Sequence, residues 1–90
     1  MLIDFDSAKD KLNFAKHKLS LGVASTLEWD EALVWIDERF EYDELRLVAL
    51  IPEGNTLYYV TSVKQRDIQR GISLRYANRS EIKHYVENHT

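Results

Sequence analysis

The stretch LRLVALIPEGNTLYYVTSV, residues 45–63, reads as two strands joined by one turn. Residues 45–51 are apolar on both faces except for Arg46, the pattern of a strand inside a sheet. Pro52, Glu53, Gly54 and Asn55 form a turn signal, and residues 56–63 return as a second strand rich in β-branched and aromatic side chains. Tyr58 and Tyr59 fall on opposite faces of it. Working outward, Ala32–Ile36 is a further strand. Residues 37–44 are an acidic connection, and Ile68 to about Arg75 is a last strand with Ile68, Arg70, Ile72 and Leu74 on one face. The links between strands are too short for crossover helices, so the expected sheet has four antiparallel strands.

Helices flank this sheet. Asp6 is a good N-cap for a helix whose apolar positions Ala8, Leu12, Ala15 and Leu19 recur at steps of four, three and four. Lys9, Asn13, Lys16 and His17 form a polar, mostly basic stripe beside them. Ser20 opens a second short helix to about Glu28, with Leu21, Val23, Ala24 and Leu27 apolar. Asn78 and Glu81 have the spacing of a capping box, opening a final helix to about Asn88 with Ile82, Tyr85 and Val86 on its apolar side. The expected fold is therefore α+β: two N-terminal helices, a four-stranded antiparallel sheet and a C-terminal helix in one domain, residues 1–90.

Composition removes several chemistries. There is no cysteine, hence no disulfide and no thiolate nucleophile or ligand. The glycines stand alone at positions 22, 54 and 71, so no glycine-rich phosphate loop exists. His17, His84 and His89 do not have metal-ligand spacing, and no cofactor is expected. The longest apolar run, residues 47–51, is far too short to span a bilayer, and the acidic N-terminus is unlike a signal peptide. A cytoplasmic protein with no membrane association is expected.

The net charge of −3 is segregated. Residues 1–20 carry +1, residues 21–54 carry −7 and residues 55–90 carry +3. A polyanion would avoid the middle and prefer the two ends, if the fold joins them. His17 between Lys16 and Lys18 is the one cluster suited to phosphate chemistry. Breaking an RNA phosphodiester needs a proton acceptor, a proton donor and cations for the developing negative charge. A histidine titrates in the range for either proton role, and lysine or arginine supplies the charge. The same cluster equally suits an ordinary helix C-terminus, where cations meet free carbonyls.

Three separated segments resemble one family. FDSAKDKLNFAKHK (residues 5–18) resembles the opening W-D-x-x-K-x-x-x-N-x-x-K-H-G of the BrnT toxins. DELR (43–46) resembles their G-E-x-R, and RGISLRYANRSE (70–81), with Tyr85 beyond, resembles their R-x-I-S-A-R-x-A-T-x-x-E and following tyrosine. The resemblance implies a RelE-like fold and a metal-independent endoribonuclease that inhibits translation. It implies a BrnA-like antitoxin as partner, through which alone the pair reaches operator DNA and represses its own operon. Carried over by position, it makes His17, Lys16, Arg70 and Arg75 the expected catalytic group. Lys9, Asn13, Lys18 and Arg79 around them are expected to bind RNA. The alternative is a catalytically silent module that forms a repressor complex with the antitoxin. Departures are Phe5 for the family's Trp, Lys18 for its Gly, Leu74 for its Ala, Asn78 for its Thr, and an acidic net charge. Arg70 and Arg75 also differ in parity, so they share a sheet face only if the strand bulges between them.

Overall fold

The computed structural model describes residues 3–37 and 45–88. The hairpin forms as β3 (Leu45–Glu53) and β4 (Thr56–Gln65), turning at Gly54, whose φ of 57° is the positive value the first residue of such a tight turn requires. β2 (Leu33–Ile36) pairs antiparallel with β3, and β5 (Ile68–Tyr76) antiparallel with β4. A further strand, β1 (Asp4–Phe5), runs parallel to β5, with Asp4 opposite Arg70 and Phe5 opposite Gly71. The sheet order is β1-β5-β4-β3-β2.

The α+β class holds, but two expectations are corrected. Among the described residues the sheet has five strands and is mixed, not four-stranded and antiparallel as expected with a RelE-like fold. Strand β1 is two residues long, too short for any alternation, and it exists only because β5 offers it a partner at long range. The second N-terminal helix is not an α-helix. Ser20 does cap it, accepting from the Gly22 N–H at 3.2 Å, but Leu21–Thr26 winds as a 3₁₀ segment, and a second 3₁₀ turn follows at Trp29–Glu31. Its buried residues Leu21 and Ala24, with Leu27 just past its end, recur at three-residue steps, the 3₁₀ period. The acidic connection over 38–44, the DELR residues 43 and 44, and His89 lie outside the described residues.

One sheet face carries the core. Ala49, Ile51, Val60 and Leu74 pack there against Leu21, Ala24, Leu27 and Ile3, with Tyr58 alongside. Trp29 packs on the same cluster and donates its indole N–H to the Ala24 carbonyl at 2.7 Å. By strand alternation Val48, Leu50 and Tyr59 point to the other face.

Helix α1 (Ser7–His17) starts as expected, with the Asp6 carboxylate accepting from the Ala8 N–H at 2.8 Å. Its orientation reverses the expected one. Leu12 and Phe14 are 71% and 53% exposed, whereas Asn13 is buried and Asp10 and His17 are half-buried. The reason is hydrogen bonding. β1 covers only the Arg70–Gly71 end of β5, so the outer edge at Leu74 is open. The Asn13 side chain closes it, accepting from the Leu74 N–H at 2.9 Å and donating to the Leu74 carbonyl at 2.8 Å and to the Leu19 carbonyl at 2.8 Å. Asp10 in turn accepts from the Ser20 hydroxyl and the Leu21 N–H. Satisfying these buried backbone groups outweighs the apolar stripe.

The end of α1 also explains the departure at Lys18. This residue stands in the left-handed region, φ 61° and ψ 25°, and its N–H bonds the Phe14 carbonyl. Glycine reaches that conformation without strain. Lys18→Gly is therefore expected to stabilise the fold by about 0.5–1 kcal/mol, read as a rise in the urea midpoint at unchanged slope.

Helix α2 (Arg79–Asn88) opens on the expected capping box. The Asn78 side chain accepts from the Glu81 N–H, and the Glu81 carboxylate accepts from the Asn78 N–H, both at 2.8 Å. Ile82 and Val86, on the expected apolar side, are 46% and 70% exposed. Contacts that hold the helix include Glu81 on Arg75, the His84 ring edge-on to Trp35 at 5.6 Å, and the Tyr85 hydroxyl donating to the Glu31 carbonyl at 2.6 Å. Among the described residues no helix is long and apolar enough to cross a membrane.

Candidate active site at the edge of the last strand

β5 carries a bulge. Thr61 pairs with Ser73 and Ser62 with Gly71, leaving Ile72 as an extra residue. Beyond it, Arg75 stands opposite Tyr59 and Arg70 opposite Val63, and these two β4 residues have like parity. The bulge thus puts Arg70 and Arg75 on one sheet face, and the regular alternation expected for Ile68, Arg70, Ile72 and Leu74 fails at Ile72. The two arginines are not adjacent. Their β4 partners are four positions apart, roughly 13 Å along the strand. Arg70 forms an exposed ion pair with Asp4 at 3.2 Å, of a kind worth well under 1 kcal/mol.

The bulge and α1 enclose an open pocket of about 240 Å³. Lys9, Leu12, Asn13, Lys16 and His17 line it from the helix, and Ile72 and Ser73 from the strand. Asn13 contributes only its walls, since its amide is spent inside the protein. Lys9 and Lys16 are exposed. His17 is half-buried, and its pKa lies below the ordinary 6.5. Burial is the main cause, followed by the Lys16 and Arg75 charges. A helix C-terminus by itself favours imidazolium; here the burial and the two cations prevail. All three causes favour the neutral imidazole.

Arg75 does not line the pocket, but its charge reaches His17. It is the most constrained cation of the group. Its guanidinium lies over the Tyr59 ring, 3.9 Å from the centroid. Its two terminal nitrogens donate to the two Glu81 oxygens, each at 2.8 Å, and Nη1 also donates to the Tyr76 carbonyl. Burial works to raise the Glu81 pKa, but the Arg75 fork and the Asn78 N–H outweigh it and hold the carboxyl below its usual range. The arginine charge is reinforced by the same hydrogen bonds.

The structure thus brings Lys16, His17 and Arg75 together, with Lys9 on the pocket wall. Arg70 stands farther along the sheet face, Arg79 is exposed at the start of α2, and Lys18 is exposed just past α1. Two participants escape a reading by residue type. Glu81 reads in the sequence as a helix cap and as the last residue of the third segment, with no role at the site, and Tyr59 meets Arg75 only through the register of β4 on β5.

None of the curated proteins compared with this chain matches it. The family model for the ribonuclease toxin BrnT of type II toxin–antitoxin systems matches residues 5–81, a span that runs from the second residue of β1 through α1 and strands β2 to β5 to the first turn of α2. The chain accordingly belongs to the BrnT family of ribonuclease toxins, whose members work as one half of a toxin–antitoxin pair.

Proposed function

We propose that this chain is an endoribonuclease that cuts RNA without a metal and stops translation by doing so. The observation that carries the reading is the pocket at the bulged edge of β5, lined by Lys16 and the half-buried His17 and close enough to Arg75 for its charge to act on the imidazole. His17 takes the proton of the attacking 2′-hydroxyl or returns one to the leaving 5′-oxygen. Lys16 and Arg75 stabilise the negative charge that builds on the phosphorane. Lys9, Lys18, Arg70 and Arg79 hold flanking phosphates. Arg70 serves a neighbouring phosphate better than the scissile one, because of its distance along the strand. A BrnA-like antitoxin neutralises the toxin in the cytoplasm, and operator DNA is reached only through that partner.

The test is expression of the chain alone from a tightly repressed promoter, beside Arg75→Ala. Growth should stop with the parent and continue with the variant, at equal levels of soluble protein. Arrest by both removes Arg75 from the mechanism. Arrest by neither makes the chain a silent binding module.

A further inference from the structure

We propose that Glu81 is a positioning residue for Arg75, setting the guanidinium so that its Nε–Nη2 edge is the one offered to a phosphate. The inference rests on the ribonuclease reading above. A guanidinium has five N–H donors in one plane. Three are committed: both on Nη1, to Glu81 and the Tyr76 carbonyl, and one on Nη2, to Glu81. The Nε–H and the second Nη2–H make no hydrogen bond to a described residue. These two lie on the same edge of the plane, and together they form a fork of the width that two phosphate oxygens accept. Tyr59 holds the plane from one side. Glu81 is itself fixed, because the same Oε1 that takes Nη1 also takes the Asn78 N–H. The start of α2 is therefore a bracket as well as a helix cap. The alternative meaning of the ion pair is masking, in which Glu81 keeps Arg75 from RNA. The uncommitted edge argues against it, since masking would engage the donors a phosphate uses.

Glutamine separates the two duties of Glu81. It serves a capping box as well as glutamate does, but its amide presents only one acceptor to the arginine fork. Cleavage of a mixed-sequence transcript would be followed with Glu81→Gln, Asn78→Ala, Arg75→Ala and the Arg75→Ala/Glu81→Gln double variant. Glu81→Gln should lower kcat about tenfold, the scale of a small misplacement of a transition-state contact. Its KM should be unchanged or lower, because a negative charge has been removed near the RNA. Asn78→Ala should melt earlier yet cut like the parent. In the Arg75→Ala background the Glu81 change should add nothing.

A Glu81→Gln protein as fast as the parent, or faster, overturns the positioning role while Arg75→Ala remains inactive. An Asn78→Ala protein slowed as much as Glu81→Gln reduces Glu81 to a cap and overturns it too. An Arg75→Ala protein that cuts like the parent removes the site reading itself, and this proposal with it.

Discussion

His17→Ala should slow RNA cleavage by roughly 10²–10⁴-fold, the usual worth of a positioned proton-transfer group. The side chain ends α1 and is half-buried beside Lys16, within reach of the Arg75 charge. Those three influences lower its pKa, so the neutral, proton-accepting form dominates at pH 7. The pH dependence follows. As pH falls below the folded value, which lies under 6.5, the imidazole protonates and loses its capacity as a base. The parent should then show an acidic limb in kcat/KM with a midpoint below 6.5, and His17→Ala should lack it. Stability moves in the same direction. The unfolded chain binds this proton more readily than the folded one, so the His17 contribution is fully present above 6.5 and is lost as pH falls. A parent limb that survives in His17→Ala assigns the titration to another group, and undiminished cleavage by the variant removes His17 from the chemistry.

The largest effect on stability is expected from Asn13→Ala, at about 3–4 kcal/mol. The substitution removes three hydrogen bonds and leaves the buried Leu74 N–H and carbonyl without partners. Each such orphaned group costs about 1–3 kcal/mol. A domain of this size has only about 5–15 kcal/mol in total, so the variant should lose roughly 15–25 °C in Tm. Asn13→Asp should do similar damage. It keeps the acceptor for the Leu74 N–H, but removes the donor to both carbonyls and places a charge in a buried position. A thermal melt within a few degrees of the parent would show that α1 closes the edge of β5 by packing alone. The expected outcome also bears on Asn13 itself. In the sequence it stands in the basic stripe and reads as an RNA contact; in the fold its amide is hydrogen-bonded to Leu74 and Leu19 while the residue still lines the pocket.

Much of the molecule was readable in advance where the governing interactions are local. The Asp6 cap, the Asn78–Glu81 capping box and the turn before Thr56 depend on residues a few positions apart, and all three form. Strands β2 to β5 follow from runs of β-branched and aromatic residues, which need only a sheet to join. The exposure of Leu12 and the burial of Asn13 were not readable, because a helical stripe records where apolar residues are, not which backbone groups elsewhere lack partners. The short strand β1 and the 3₁₀ winding of Leu21–Thr26 have the same origin. Each is set by what the rest of the chain presents to it.

By itself the sequence determined the α+β class, the hairpin at the centre of the sheet and, through three segments in register, the family. Those depend on local propensity and on residue type at fixed spacing. Only the tertiary structure decided which cations meet His17. The bulge at Ile72 turns Arg70 and Arg75 to one face, Asn13 draws α1 onto the open edge of β5, and Glu81 grips Arg75 from the start of α2. Each of these joins residues through strand register or a hydrogen bond across the fold, and neither is written in the order of residues along one segment.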